Sequence, residues 1–391
     1  MKQNLYSVSQ FIYTGVTRVV EVREVKTRKE RKLFASFNAD MYKDVPQAIP
    51  DLVSDEYKNF DPKKNPAYEY CRVKQFLAFK DGKCVGRIAG IINDAANKKW
   101  QTKRIRFSRV DFIDDPEVSA ALFKAVEEWG RAEGLTQIHG PIGFCDLDQE
   151  GMLIEGFEED GMFITIYNHP YYIKHMENLG YRKDIDWIEN QIKMPEKPNE
   201  KLSKLSELVL KRYNLRLIEP KSKKEIKPFL PKVFDLINEA YKHLYGTVEL
   251  TPAQIMKYYR QFILIINTDY VKFIVNENDE LVGFGLAAPS MNKAVKKSNG
   301  RLFPFGWYRI LRAPYATTEV LDLFLVGVVP KMQNKGLTAV LLHSMTESAR
   351  KNNIKFAETG PELETNHQVL ALWRHYETRQ HKRRRCWIKD L

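Results

Sequence analysis

The sequence predicts an α+β protein made of two tandem copies of one folding unit, each a mixed, mostly antiparallel sheet flanked by helices. The chain has 391 residues, which is long for one domain at about 100–200 residues per domain. Its two halves repeat one order of predicted strands and helices. Between them lies a polar linker, residues 194–200, whose two prolines oppose helix and strand continuity. We therefore expect one domain at residues 1–195 and a second at 196–391.

The repeat is clearest in a pair of predicted β-hairpins. The segment FLAFKDGKCVGRIAG begins at Phe76, and FIVNENDELVGFGLA begins at Phe273. Each has an apolar run, a polar turn and then Val-Gly opening a second alternating run, which is typical of a hairpin. A strand and an amphipathic helix are predicted before each hairpin, at 18–25 and 28–42 in the first copy and at 215–219 and 225–241 in the second.

The same elements follow both hairpins. An apolar strand (105–113; 320–329), a helix (119–132; 339–351) and a strand running into Gly-Pro (137–141; 355–361) are predicted in each copy. Each copy then closes with an Asn-His pair that opens a helix, at Asn168 and Asn366, and with a strand that carries Trp-Ile. Self-similarity of this kind indicates a duplicated unit.

Composition narrows the classes of function. The chain carries 62 Lys+Arg and 50 Asp+Glu, a formal net charge of +12. No apolar stretch approaches the roughly 20 residues of a bilayer span. Residues 1–13 lack the layout of a signal peptide, so we expect a cytoplasmic protein. The four cysteines have no C-x-x-C or histidine-rich spacing, which argues against a disulfide framework or a metal site. No base-reading module is recognisable, so we expect no specific nucleic-acid binding.

The copies differ after their central strands. The second reads VGVVPKMQNKGLTAVLL and the first DFIDDPEVSAALF, and the stretch from Pro116 to Ser119 is six residues shorter than the matching stretch from Pro330 to Ala339. A glycine-bearing turn between a strand and a helix presents backbone N–H groups at the positive end of the helix dipole, where a phosphate or pyrophosphate binds. Gly336 would let the backbone approach closely and Lys335 adds charge. In the first copy, Asp114 and Asp115 would repel a polyphosphate and serve as helix caps.

The residues from Val328 to Thr338 resemble the Q/R-x-x-G-x-G/A motif of the GNAT (Gcn5-related) acyl-coenzyme A-dependent N-acyltransferases, with its preceding V-x-P strand end. Through the repeat, the whole chain resembles a tandem GNAT protein. The resemblance implies that acetyl-coenzyme A or another acyl-coenzyme A is the co-substrate. It implies a pyrophosphate held by Gln333, Asn334, Lys335, Gly336, Leu337 and Thr338, a pantetheine arm along the backbone of Val326 and Val328, and a further contact at Asn366. Thr338 departs from the family, which usually has Gly or Ala there.

Acyl transfer to an amine needs a neutral amine and a proton for the departing thiolate. Glu358, on the strand beside the predicted cofactor strand, is our candidate base. Glu362 and Glu364 are candidates for binding a cationic substrate. The tyrosine acid of the family corresponds here to Trp373, whose indole N–H has no suitable pKa. We therefore predict that Tyr376, three residues further along the same predicted helix, supplies the proton.

The leading prediction is an N-acyltransferase, with acetyl transfer to an amine by direct attack in a ternary complex. The expected acceptor is an amine-bearing small molecule, peptide or lipid-like compound. Residues 300–311 set bulky apolar side chains among arginines, which is compatible with a lid over a lipid-like acceptor or with packing between the halves. The basic run Lys382–Arg385, with the basic residues of 293–312, is compatible with a positive surface for coenzyme A phosphates, an acidic lipid surface or nucleic acid, and so with peripheral membrane contact, or with a solvated basic face. Two alternatives stay open. The missing tyrosine favours a non-catalytic module that binds coenzyme A or an anionic surface, and the net charge favours an aminoacyl-tRNA-dependent transferase.

Overall fold

The computed structural model describes residues 19–391. The interpretation of residues 1–13 and the start of the first predicted strand at Arg18 lie outside that range. The first half contains β1 (Glu21–Glu24), α1 (Arg28–Met41), α2 (Val53–Asn59), β2 (Cys71–Lys80), β3 (Lys83–Asn93), α3 (Asp94–Trp100), β4 (Arg104–Phe112), α4 (Pro116–Ala132), β5 (Gln137–Gly140), β6 (Met152–Glu155), α5 (Tyr171–Asn178) and β7 (Arg182–Lys193).

The second half repeats this order with additional helices. It contains α6 (Glu200–Arg212), β8 (Arg216–Ile218), α7 (Lys223–Ile226), α8 (Leu230–Tyr241), α9 (Pro252–Ile265), β9 (Val271–Val275), β10 (Leu281–Pro289), α10 (Asn292–Ser298), α11 (Gly306–Arg312), β11 (Val320–Val328), α12 (Leu337–Lys351), β12 (Phe356–Thr359), β13 (Glu362–Leu363), α13 (His367–Leu372) and β14 (Thr378–Asp390). Helices α6 and α9 to α11 lie in segments for which the sequence predicted no helix.

The strands form one continuous sheet in the order β1-β2-β3-β4-β5-β14-β7-β12-β11-β10-β9-β8. Outside this order, β6 pairs with β14 and β13 pairs with β7. Neighbouring strands run antiparallel except for β4 with β5 and β11 with β12, which are parallel. Helices cover both faces. The predicted α+β class, with a mixed and mostly antiparallel sheet, is confirmed.

The closing strands of the two halves are exchanged. β7 belongs to the first half by sequence but pairs with β12 of the second, and β14 pairs with β5 of the first. The two exchanged strands also pair with each other, from Thr378 opposite Ile192 to Ile388 opposite Arg182. The halves therefore share their hydrogen-bonded core, and a division at residue 195 stays a prediction.

Local chemistry explains where several helices begin. Thr27 and Glu30 form a reciprocal capping box at α1, and the Asp115 carboxylate accepts from the Glu117 N–H at the start of α4. Asn366 caps α13 as predicted, by accepting from the Val369 N–H at 3.4 Å. Asn168 does not cap α5. Its side chain instead bonds both backbone groups of Leu153.

Two predicted helices differ from the structure. The helix expected at 225–241 is interrupted between α7 and α8, because Pro228 lacks the N–H that a continuous helix needs. The helix expected to carry Tyr376 ends at Leu372, and a 3₁₀ turn at Trp373–His375 follows it. Tyr376 then has extended backbone. The prediction that Trp373 and Tyr376 share one α-helical face is therefore wrong.

Candidate active site

Strands β11 and β12 splay apart at the centre of the second half. They pair only from Val320 with Phe356 to Leu323 with Thr359. β11 then continues to Val328, and among the strands of residues 19–391 it is paired there with β10 alone. The register shift between Leu286 and Ala287 leaves Phe324 as an extra residue in β11, and such a bulge bends a strand away from its neighbour.

A cavity of about 250 Å³ lies at this splay and reaches both faces of the sheet. Neighbouring residues of a strand point to opposite faces. Ala287 packs in the cluster of Leu342 and Met345 from α12, whereas Leu286 packs in the cluster contacted by Phe262 of α9 and Tyr241 of α8. Side chains from both clusters line the cavity. The gap between the strands thus forms a passage between the α12 side and the α8–α9 side.

The predicted coenzyme A loop lies at the end of β11. A 3₁₀ turn at Pro330–Met332 leads into Gln333, whose amide donates to the Val328 carbonyl at 3.3 Å. Asn334 and Gly336 have φ values of 60° and 83°, and Gly336 is the left-handed residue directly before α12. The first N–H groups of α12 have no carbonyl one turn earlier to receive them. This backbone fits an anionic group such as a pyrophosphate.

The corresponding place in the first half is built differently. Residues 113–115 connect β4 to α4, whereas residues 329–336 connect β11 to α12. β4 and β5 also separate after three residue pairs, but buried aromatic side chains fill the space beside them. The Tyr172 ring stacks on Phe112 at 4.2 Å between centroids, and its hydroxyl accepts from the Phe112 N–H at 2.8 Å.

Acidic side chains line the α8–α9 side of the cavity. Asp146 and Glu150 come from the loop 142–150 of the first half. Burial raises the pKa of both carboxyls, and for Glu150 the nearby Asp146 adds to the rise. Asp148 in the same loop forms a buried ion pair with Arg109 at 2.6 Å. This pair holds the loop against β4, and Asp148 lines the cavity together with the other two acids.

Glu362 lies in the cavity lining close to the splay. The indole N–H of Trp373 lies 2.9 Å from both carboxylate oxygens of Glu362, and the Asn190 amide donates to one of them at 3.2 Å. Burial raises the pKa of Glu362 to about 7. A carboxyl with such a pKa is well matched to accept a proton near neutrality.

The other predicted site residues are placed as follows. Val326 and Asn366 line the cavity, and the Val326 carbonyl accepts from the Tyr241 hydroxyl at 2.9 Å. Glu358 is not in the cavity lining. It is buried beside Lys382 at 3.5 Å and next to Asp322 on β11, and burial raises the pKa of Glu358.

Tyr376 lies behind the cavity wall. Its ring is 6.2 Å from that of Trp373, and it borders a separate small void together with Leu342 and Met345, which also line the main cavity. Burial raises the pKa of Tyr376. Val326, Asn366 and Glu362 therefore line the cavity, whereas the loop 333–338, Glu358 and Tyr376 lie outside its lining.

Sequence reasoning missed the contributions of Tyr241 and of the loop 142–150. The run Asp146-Leu147-Asp148-Gln149-Glu150 was a usable signal, because it places three acids just after the Gly-Pro end of a predicted strand. Tyr241 carried no comparable signal. It ends an amphipathic helix, where an aromatic residue is most simply explained by core packing.

The basic run Lys382–Arg385 does not form a free cationic surface. It lies within β14, where Lys382 and Arg384 pair with Glu189, and Arg383 and Arg385 pair with Asp186. Most of its charge is therefore neutralised within the protein.

One cluster has ligand types suited to a metal. His139, Asp184 and Cys386 offer atoms within 4.8 Å of one another where β5, β7 and β14 meet. The Tyr245 hydroxyl is hydrogen-bonded to all three, at 2.8 Å to His139 and 3.6 Å to Cys386, and Arg104 lies 3.4 Å from Asp184. These contacts satisfy the cluster without an ion.

Among the helices of residues 19–391, none combines the length and apolar character that crossing a bilayer requires. No family model matches the chain. It is 28% identical over 378 residues to Protein YghO of Escherichia coli, with 95% of each chain covered. It is 26% identical over 340 residues to the bacterial ceramide synthase of Caulobacter vibrioides, covering 85% of this chain and 86% of the relative.

The fold is also found among solved structures. A tandem GNAT protein from the clavulanic acid biosynthesis pathway superimposes with a TM-score of 0.54 at 14% identity, covering 95% of this chain and 98% of the other. At that coverage, the likeness extends over both halves of the chain. The chain therefore has a tandem GNAT-like fold.

Proposed function

We propose that the protein is an acyl-coenzyme A-dependent N-acyltransferase whose second half binds the acyl donor. The observation that carries this proposal is the passage at the splay of β11 and β12, with the loop 333–338 at the strand end. A donor whose phosphates bind the loop would direct its acyl end into the passage, so that an amine entering from the α8–α9 side meets it there. We also propose that the protein is cytoplasmic.

The lining of the cavity on the α8–α9 side favours an acceptor amine that also carries an apolar chain. Asp146 and Glu150 supply carboxyl groups for an ammonium, while Phe262, Leu286 and Ile164 supply an apolar wall. The relative named bacterial ceramide synthase supports the same class of acceptor, an amine on a lipid-like chain. The first half would thus contribute the acceptor side while lacking a donor loop of its own.

Glu362 is the proposed base. When bound, the acyl-coenzyme A supplies an activated carbonyl carbon to the amine. The Glu362 carboxylate removes a proton from the acceptor ammonium, and Trp373 and Asn190 hold that carboxylate in place. Glu358 stays a candidate only through intervening water. Tyr376 stays the candidate acid, on the condition that its hydroxyl reaches the cavity past Leu342 and Met345.

A direct assay tests the activity. Purified protein is incubated with acyl-coenzyme A of short and long chain length and with single-chain lipid amines. Release of free coenzyme A thiol and the N-acylated product are then measured by mass spectrometry. The proposal predicts that the N-acylated product forms and that its amount matches the amount of free coenzyme A thiol released. Tight donor binding without product from any amine would favour the alternative of a non-catalytic coenzyme A-binding module.

A further inference from the structure

A group of large apolar side chains stands out from the second half. It comprises Phe303, Phe305, Trp307, Tyr308, Leu311 and Tyr315, here called the aromatic surface, and all six are exposed, with Phe303 at 81% and Tyr315 at 63%. None of them lines the cavity. Contiguous exposed apolar side chains of this size are uncommon on a soluble protein without a partner.

The backbone beneath the aromatic surface is firmly held. The opposite side of α11 is buried, and Ile310 packs with Met291 and Ile49 across the two halves. Gly306 lies so close to Arg301 that a Cβ would be 1.9 Å from its carbonyl oxygen. The Gly300 carbonyl accepts from the Val53 N–H at 3.0 Å. The exposed rings therefore belong to an anchored segment.

The charged side chains of the segment that carries the aromatic surface are all cationic, and two of them, Lys296 and Arg301, pair with Asp160 and Asp40 of the first half. No Asp or Glu occurs between Glu280 and Glu319. Lys293, Lys297, Arg309 and Arg312 have no carboxylate partner in the part of the chain that the structure describes, and Arg312 bonds the Tyr308 hydroxyl instead. Four cations of this segment are thus left without a neutralising acidic side chain among residues 19–391.

We propose that the aromatic surface docks the protein on an anionic lipid bilayer. Trp and Tyr rings favour the headgroup level of a membrane, Phe and Leu enter the acyl boundary, and Lys and Arg attract anionic headgroups. Association of two copies through the same surface would instead bring unpaired cations together. Charge complementarity therefore favours a membrane over a second copy of this chain.

The docked surface would lie close to the acceptor side of the cavity. Lys223 lies 5.8 Å from the Tyr315 ring and donates to the backbone carbonyls of Ile263 and Leu264 at the end of α9. Phe262, in the same turn of α9, lines the cavity. The idea that a bilayer lipid enters the cavity as the acceptor rests on the proposed function. The docking of the aromatic surface on a membrane does not depend on that function.

Vesicle flotation tests the proposal independently of activity. The full chain is mixed with vesicles of phosphatidylcholine alone or of phosphatidylcholine with phosphatidylglycerol, and the floating fraction is measured. We expect flotation with the anionic vesicles and little with the neutral ones, weakening as salt is raised. Trp307→Ser should weaken binding about tenfold. Arg309→Ser with Arg312→Ser should weaken it by a similar factor and reduce the salt dependence.

Leu208→Ser is the matched control, because Leu208 on α6 is an apolar residue that is even more exposed than Trp307, and it should float like the unchanged protein. All variants are first compared by circular dichroism. Equal loss in Leu208→Ser, or equal flotation with neutral and anionic vesicles, would overturn the proposal. Absence of flotation would also overturn it, as would concentration-dependent dimerisation that Trp307→Ser abolishes.

Discussion

Single residues decide which carboxyl can act as the base. Glu358 and Glu362 are close in sequence, yet only Glu362 reaches the cavity. Burial raises the pKa of Glu358, and the nearby Lys382 ammonium only partly offsets that rise. For Glu362 burial dominates and raises the pKa to about 7. Burial raises the pKa of both carboxyls, so the two residues differ mainly in whether the carboxyl reaches the cavity.

Substitution of each carboxyl separates these roles. Glu362→Gln should lower kcat by about 10²–10⁴. In the unchanged protein, activity should fall as pH drops below about 7, because protonation of Glu362 removes the proton acceptor; this acidic limb should disappear in the variant. The measurement is a pH profile of kcat with the true acceptor. Glu358→Gln is the comparison, and a larger kcat loss there, with Glu362→Gln nearly active, would return the base to Glu358.

Among the elements, the loop 142–150 depends on one buried ion pair. The Arg109 guanidinium is nearly inaccessible and contacts Asp148 at 2.6 Å and Glu56 at 3.0 Å. Removing one partner of such a pair leaves uncompensated buried charge. The loop that carries Asp146 and Glu150 is therefore coupled to the stability of the first half.

Arg109→Leu should lower the free energy of unfolding by about 3–5 kcal/mol, the range typical of a broken buried pair. Urea unfolding followed by circular dichroism measures this. Lys124→Leu is the control, because Lys124 and Glu128 form an exposed pair at 3.7 Å, and exposed pairs contribute little. Equal small effects of both substitutions would show that the Arg109 pair does not stabilise the loop.

The strands and helices that repeat in both halves could be predicted because they have local signatures, whereas α6 and α9 to α11 were not predicted. Alternating hairpins, the capping residue Asp115 and the glycine turn at Gly336 all act within a few residues of the chain. The site was harder to predict. Tyr376 was expected on a helix that ends at Leu372. The acceptor side of the cavity comes from the loop 142–150, which lies more than 200 residues before Glu362 in the sequence. The periodicity of apolar residues carries no information about such a distant contact.

At the scale of the whole molecule, the strand exchange links the halves. β14 lies between β5 and β7, so the first half without it would expose the unpaired edges of both strands. Exposed strand edges promote aggregation. No local pattern in the sequence could reveal this exchange, because β7 and β14 each look like the closing strand of their own copy.

We therefore expect the fragments 1–195 and 196–391 to fold only together. Expressed singly, each should be insoluble or lack cooperative unfolding, whereas co-expression should yield a soluble complex of both. Size-exclusion chromatography and urea unfolding of the products measure this. The full chain serves as the control and should unfold in one transition. Cooperative unfolding of either fragment alone would show that the exchange is not required.

The central claim is that one acyl-coenzyme A binds per chain, at the loop before α12. Calorimetric titration with acetyl-coenzyme A tests it most directly. Gly336→Asp is compared with Gly180→Asp, since Gly180 has a similar φ of 80° and open space around it; both add the same strain and charge. We predict one site per chain, weakened at least about tenfold by Gly336→Asp and unchanged by Gly180→Asp. Two sites per chain, or equal effects of both substitutions, would contradict the account.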